Sequence, residues 1–373
     1  MPDELGRPIF TVFGAGNGGQ AMAGYLALKG FQVRLYNRSE PRIQPIKLMG
    51  GIEIVGSEMH PDLRGFAKIP VVTTNAGEAM EGSDILLVVV PAFGHRFIAE
   101  QMAPHLKDGQ IIVLNPGSTF GALEVYQILR SKGVKADVIV AEAQTFIFTS
   151  RNINPAQVRI YRIKNSIPIA AIPANRTNDV VKALRVALPQ FIPAENVLVT
   201  SLNNIGTVFH PAITVLNASR IESTHGEFEF YIEGVTPAVA SILERMDEER
   251  CKVMEALEIK PMTAREWLYV AYDATGTSLF EAIHNNRGYY GIKAPPTLEH
   301  LYITEDVPMS LVPIASLGNM LGIAVDAIET IIKLACLMLK RDFWEEGRTM
   351  ERLGLAGRSV QEIRRLALEG KLD

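Results

Sequence analysis

The sequence predicts an α/β protein of two domains. Residues 1–190 read as a doubly wound sheet of the Rossmann type, and residues 191–373 as an all-helical domain. Three observations predict this. Short apolar runs alternate with helical spacing through the first half, a glycine-rich loop joins the first run to the first helical pattern, and strand signals nearly vanish after residue 191. Strands alternating with helices give a mostly parallel sheet with helices on both faces. A length of 373 residues also exceeds one ordinary domain and fits two.

The elements follow in order. "PIFTVFGAG" is a strand ending in glycines, and "GQAMAGYLALKG" has helical spacing that stops at Gly30, a residue suited to the left-handed position after a helix. "FQVRLYN" is a second strand. "DILLVVVP" is a continuous apolar run of the kind a central parallel strand needs, because both its faces are covered. "QIIVLNPG" and "ADVIVAE" repeat the pattern, with a helical stretch at "FGALEVYQILRSKG" between them. "VRIYRIKNSIPIAAIPA" adds β-type segments with an antiparallel option, and "NDVVKALRVALPQF" reads as a helix closing the domain. Beyond it, "PAVASILERMDEERCKVMEALEI" and "DAIETIIKLACLMLKRDFWEEG" are long helical patterns.

Composition narrows the function classes. The chain is 47% hydrophobic and 21% charged, as expected for a soluble globular protein. A net charge of −4 argues against a nucleic-acid binder. The 2 cysteines, Cys251 and Cys336, are far apart and show no metal-ligand spacing, so neither a metal site nor a disulfide scaffold is expected. "MPDELGRP" lacks the features of a signal peptide, and the longest apolar runs are too short to span a bilayer. A cytoplasmic protein is expected, without membrane contact.

"GAGNGG" places Gly14, Gly16 and Gly19 in G-x-G-x-x-G register, with Asn17 and Gly18 between them. After a strand and before a helix, this is a dinucleotide loop. The first glycine allows the tight turn, the second lets backbone approach a pyrophosphate, and the third lets helix and strand pack closely. The helix N-terminus favours the phosphate charge. An NAD site ordinarily carries an Asp or Glu about 20 residues further on, to bond the ribose 2′-hydroxyl. Here Asn37 and Arg38 stand at the end of "LYNRS". An arginine there suits a 2′-phosphate, so NADP is the expected cofactor, with NAD the alternative. Val90, Pro91 and Ala92, then Asn115, Pro116 and Gly117, end two further strands and are expected to line the same crevice. Glu142, at a third strand end, is a further candidate.

In the second domain His210 precedes Pro211 within "SLNNIGTVFHPAITVLNASRIES", a stretch otherwise small and apolar. A proline there is tolerated if a helix starts or kinks at that point. Asn203 and Asn204 are either ligands or an N-cap. "EHLYITEDVPMSLVP" places Glu305 and Asp306 before an apolar run, where a carboxylate either orients a histidine or starts a helix, as Thr304 also could.

Together these segments resemble the opine dehydrogenase family, of the octopine and nopaline type and especially its bacterial N-(1-carboxyethyl)-amino acid branch. The resemblance rests on "GAGNGG", "LNPGSTFGALE", "SLNNIGTVFHPAITVLNASRIES", "YIEGVTPAVA", "ITEDVPMSLVP" and "DFWEEGRTMERLGL", in order along nearly the whole chain. It implies a Rossmann domain for the nicotinamide cofactor and a helical domain for an amino acid and an α-keto acid. It implies His210 as the catalytic histidine and Asp306 as its carboxylate partner. The apolar stretch around His210 is then expected to be a helix at the domain interface. The chain departs from the family at Leu301, where relatives usually carry an arginine before the tyrosine that is here Tyr302. Leucine cannot grip a carboxylate as arginine does. Arg287, Lys293, His300 and Arg151 are the nearby or alternative polar candidates, and Asn204, Arg287, His300 and Tyr302 are expected to contact substrate. A second, milder departure is Ser118, where many relatives have arginine. A homodimer is expected. The competing readings are a reductase of a single keto acid, of the ketopantoate reductase or 3-hydroxyacid type, and a non-catalytic NADP-binding sensor. The last signature, "DFWEEGRTMERLGL", carries no evident chemistry and reads as a structural turn.

Overall fold

A computed structural model of the chain describes residues 6–372. It forms two compact units. The first holds the residues up to Ser201 and those from Arg364 onward, and the second is Leu202–Ile363. The division by contacts falls between 201 and 202, some residues after the expected boundary near 190/191, and it groups the residues from Arg364 onward with the first unit. Their anchor is visible: Tyr126 Oη and Arg130 Nη1 both donate to the carbonyl of Gly370, at 2.8 and 2.9 Å.

Among its described residues the first unit contains twelve strands: β1 (Phe10–Phe13), β2 (Val33–Tyr36), β3 (Gly51–Val55), β4 (Gly65–Lys68), β5 (Val71–Thr73), β6 (Ile85–Val88), β7 (Ile111–Leu114), β8 (Ile139–Ala143), β9 (Phe148–Asn154), β10 (Gln157–Ile163), β11 (Ile167–Ile172) and β12 (Phe191–Pro193). Eight of them form one sheet in the order β12-β11-β8-β7-β6-β1-β2-β5. β1, β6 and β7 sit in its middle and are buried along their full length, which is why their sequences FTVF, ILLV and IIVL are almost continuously apolar. The pairs from β5 to β8 are parallel, and β11 runs antiparallel to β8 with Ile169 opposite Ala143.

The other four strands form a second sheet, β4-β3-β10-β9. Helix α1 (Asn17–Leu28) packs closely on it. A Cβ at Gly24 would lie 3.0 Å from Ile54 Cδ1, so glycine there sets the helix–sheet distance. β3, β4, β5, β9 and β12 are absent from the sequence reading: β3, β4, β5 and β12 are short, and the longer β9 mixes polar residues into its apolar signal. The closing helix is shorter than the apolar pattern predicts. It spans Thr177–Leu184 and ends before Pro189.

The described part of the second unit is helical apart from one isolated bridge between Glu229 and Lys293. Its longest helix, Pro237–Ala256, starts at Thr236, whose hydroxyl accepts the Val239 N–H, with proline in the first turn. Within the unit Arg250 is fully buried. It donates to Asp247 Oδ1 at 2.7 Å and to the carbonyl of Leu202 at 2.7 Å, which fixes the chain entering the His210 segment. No helix among the described residues is long and apolar enough to cross a membrane, and no group of three metal-ligating side chains occurs among them.

Candidate active site

The first unit carries a cavity of about 450 Å³ lined by Gly14, Gly16, Asn37, Arg38, Val90 and Pro91, among others. Its floor is the glycine loop. Gly14 has φ +114°, and a Cβ there would collide with the carbonyl oxygen of Val89, so only glycine makes this turn. A Cβ at Gly19 would collide with the backbone of Gly14, which is the close helix–strand approach the motif requires. Gly16, by contrast, faces open space, leaving room for a ligand against the backbone at the start of α1. Gly18 abuts the Phe146 ring. Asn17 points elsewhere: its Oδ1 accepts the Asn152 N–H at 2.9 Å, which ties the loop to β9.

At the far end of the cavity Asn37 Oδ1 accepts the Ala15 N–H at 3.2 Å, so this side chain braces the loop. Arg38 and Arg42 both line the cavity, with Tyr36 and Ser39. Both arginines are exposed, and the Arg38 guanidinium carbon lies 5.9 Å from the centre of the Phe97 ring. Arg42 is missing from the sequence reading. The signal for it is its position in the first turn of the helix Glu40–Met49, just after the end of β2. No carboxylate lines this end of the cavity.

The other strand ends behave differently from one another. Asn115 is 1% exposed, and neither polar atom of its amide has a hydrogen-bond partner. A buried, unsatisfied amide at a carboxyl strand end is what a ligand-seeking group looks like. The peptide from Asn115 to Pro116 is cis. Glu142 is not a ligand for the crevice. Its carboxylate is consumed inside the unit, accepting from Ala122 N at 2.8 Å, Thr200 Oγ1 at 2.7 Å and Ser201 Oγ at 2.6 Å. It pins Val197–Leu202 to the sheet.

In the second unit His210 lies on the helix Gly206–Leu216, whose interior contains Pro211; the helix therefore neither starts nor ends at the proline. The N-cap position is Ile205, with no side-chain cap, so neither Asn203 nor Asn204 caps it. Asn203 Oδ1 instead accepts from Arg250 at 3.3 Å. A Cβ built on Gly206 would sit 3.3 Å from Asn204 Oδ1 and 3.2 Å from His210 Cε1, which places the Asn204 amide beside the imidazole.

Both ring nitrogens of His210 are engaged. Nδ1 lies 2.8 Å from Asp306 Oδ2, and Nε2 lies 3.1 Å from Tyr231 Oη. An ionised carboxylate only accepts, so Nδ1 carries the hydrogen; in the neutral ring Nε2 then presents its lone pair and the Tyr231 hydroxyl donates to it. Tyr231 stays a phenol: burial pushes its ionisation well above the usual range, reinforced by Tyr289, Tyr302, Tyr272 and Asp306. Tyr302 stacks on the imidazole with ring centroids 4.1 Å apart, and Tyr231 stacks on Tyr289 at 3.9 Å. Tyr231 is the second residue that sequence reasoning missed. It opens the quoted "YIEG" segment, but nothing in that pattern marks a phenol as a partner for histidine.

The remaining candidates divide. His300 is the N-cap of the short helix Leu301–Thr304, its Nδ1 accepting the Tyr302 N–H at 3.3 Å, so it positions Tyr302. Leu301 is 43% exposed, Arg287 is exposed in a turn capped by Asn286, and Lys293 pairs with Glu227 at 3.6 Å. Thr304 and Glu305 hold no cap; the Thr304 hydroxyl donates to the His300 carbonyl at 3.1 Å.

Residues 193–339 match the family model for the alpha-helical domain of NAD/NADP octopine/nopaline dehydrogenase, and residues 9–137 match that for the N-terminus of NAD-dependent glycerol-3-phosphate dehydrogenase. The chain is 38% identical over 355 residues to an opine dehydrogenase of Arthrobacter sp. (strain 1C), covering 95% of this chain and 97% of that protein. Its fold is that of octopine dehydrogenase in complex with NADH and agmatine, with a TM-score of 0.82, 22% identity and 98% of each chain covered. It is likewise that of yersinopine dehydrogenase with NADP+ bound, with a TM-score of 0.76, 16% identity, and 95% and 99% of the two chains covered.

Proposed function

The chain belongs to the opine dehydrogenase family of NAD(P)-dependent oxidoreductases acting on CH–NH bonds, and from that premise we propose that His210 moves the protons of a reductive condensation between an amino acid and an α-keto acid. The observation that carries this reading is the imidazole held at both nitrogens, Nδ1 on Asp306 and Nε2 on a phenol. The amine attacks the keto carbon, the resulting carbinolamine loses water, and the imine carbon is reduced. When bound, the nicotinamide cofactor supplies the hydride.

The residues do the rest. Nε2 takes a proton from the incoming ammonium and returns it to the departing hydroxyl oxygen, a task suited to an imidazole, which can accept and donate at the same nitrogen. Asp306 fixes the tautomer throughout and balances the imidazolium while it exists. The Tyr231 hydroxyl yields its place on Nε2 as the substrate's proton arrives. Tyr302, stacked on the ring, and Asn204, on the Gly206 side of it, are the substrate-facing candidates near His210. Arg287 and His300 are weaker candidates, one exposed in a turn and the other spent on a cap.

NADP is the proposed cofactor. Two arginines and no carboxylate line the end of the cavity where a ribose 2′-substituent belongs. Octopine dehydrogenase was crystallised with NADH and yersinopine dehydrogenase with NADP+, so the fold accepts either and these side chains make the choice.

The test is NADPH oxidation by the purified protein with pyruvate and a panel of amino acids, omitting each component in turn. Consumption should need both the keto acid and the amine. His210→Ala should lower kcat by about 10²- to 10⁴-fold and leave NADPH affinity unchanged. Oxidation with the keto acid alone would replace this reading with a single-substrate reductase.

A further inference from the structure

The signature "DFWEEGRTMERLGL" has no place in the chemistry above, yet its centre touches the turn that carries Asp306. Asp306 is the N-cap residue of a π-helical turn, Val307–Leu311, that runs directly into the helix Val312–Met320. The wide turn leaves one carbonyl without a partner on its own helix. The N–H of Val312 reaches back to the carbonyl of Val307 rather than to that of Pro308. The next residue, Pro313, has no N–H to offer. The carbonyl of Pro308 is therefore left open on its own helix, and it accepts the backbone N–H of Arg348 at 3.0 Å.

Only glycine permits that approach. A Cβ at Gly347 would lie 2.6 Å from Val312 Cγ1, 2.7 Å from the carbonyl oxygen of Phe343 and 2.8 Å from that of Pro308. The same segment is held one turn later, where Met350 N donates to Ser316 Oγ at 2.9 Å. Gly347 and Arg348 are both buried. A single π turn inside an α-helix is a register defect, kept where function needs a side chain turned off the regular helical line. Closing it to an α turn would swing the residues before it by about 100° about the helix axis, and Asp306 is the first of those residues.

We infer that Gly347 is a positioning residue for the reaction: by letting the Arg348 N–H satisfy Pro308, it holds the π turn open and so holds Asp306 on His210 Nδ1. This rests on the proposed role of the His210–Asp306 pair. It assigns the C-terminal signature a function in the chemistry although no side chain of it takes part.

The test is a double-mutant cycle read in kcat on the full-length enzyme. Gly347→Ala forces the segment back from Pro308. It should lower kcat by tenfold or more, a displacement of about 1 Å being enough for losses of up to 10²-fold, with NADPH affinity near that of the parent. Asp306→Asn should lower kcat by about 10²-fold or more. Adding Gly347→Ala to Asp306→Asn should then change kcat by less than about threefold, because a group that acts through Asp306 has nothing left to position. The imidazole 15N shifts of His210 should leave the Nδ1–H tautomer in Gly347→Ala and stay there in the parent. Arg348→Pro, which removes the N–H that Pro308 accepts, should repeat the cycle and carries the test if Gly347→Ala does not fold. Losses that multiply in the double variant, or a parental kcat in Gly347→Ala, would overturn the inference while leaving the catalytic pair intact. A parental kcat in Asp306→Asn would overturn the catalytic pair itself.

Discussion

Removing the two cavity arginines should convert a cofactor preference into indifference. Arg38 and Arg42 are both exposed at the rim of the dinucleotide cavity. A charge-assisted hydrogen bond is worth about 1.5–3 kcal/mol. Exposure to water puts each arginine at the lower end, and about 1.4 kcal/mol is tenfold in affinity. Arg38→Ala and Arg42→Ala should each weaken NADPH binding by roughly tenfold, and the pair together by roughly 10²-fold if the contacts are independent. NADH lacks the 2′-phosphate, so its affinity should change by less than about threefold in every variant. The assay is a calorimetric or fluorescence titration of both cofactors against parent and variants, at low and high salt. Contacts to an exposed phosphate are screened, so the gap between NADPH and NADH should narrow as salt rises. Equal losses for the two cofactors would mean that the arginines hold the loop rather than the phosphate. An unaltered NADPH affinity in the double variant would remove the 2′-phosphate site altogether.

Two further outcomes test the first unit. Glu142→Gln keeps the shape but puts an amide N–H where three donors converge, leaving at least one buried donor unpaired. It should cost about 1–3 kcal/mol, read as a lower midpoint in chemical denaturation, and a parental midpoint would contradict the anchoring role. Lys164 donates to Thr145 Oγ1 at 2.6 Å, and burial, with Arg162 adding to it, holds its ammonium down from 10.5 to about 8. Between those two values the unfolded chain binds the extra proton, so stability should rise with pH from about 8 towards 10.5, and Lys164→Met should remove that slope.

What the sequence made legible follows from how locally each feature is encoded. The central strands were readable because FTVF, ILLV and IIVL are buried on both faces and leave no polar residue to confuse the period. The second sheet was not, because β4, with the sequence GFAK, buries only one of its four residues and looks like a loop. The glycine loop could be read position by position, since each glycine answers a steric demand a few residues away. Pro211 left two options, a helix that starts there or one that kinks there, and it lies inside the helix Gly206–Leu216, which excludes the first. The pairing of His210 with Asp306 spans 96 residues and came from the family resemblance. Tyr231, equally close to the ring, could not be found that way, because a tyrosine in an apolar stretch reads as core until its hydroxyl is seen on Nε2.

Chemical character in the sequence and chemical role in the fold part company in a consistent direction. Glu142 stands near a strand end and carries a charge, yet three internal donors engage both of its oxygens and tie it to the Val197–Leu202 anchor. Gly347 has no side chain, yet its bareness decides whether the Pro308 carbonyl finds a donor and the turn below Asp306 stays wide. The difference lies in what each group leaves unsatisfied. A buried polar atom that is fully paired has completed its work in stability, whereas a carbonyl that only one distant N–H can serve links two segments, so that a change in one must move the other. By that criterion the side chain to watch in the first unit is Asn115, whose buried amide still lacks any partner. It follows directly after the carboxyl end of β7, the edge at which sheets of this kind meet their ligands.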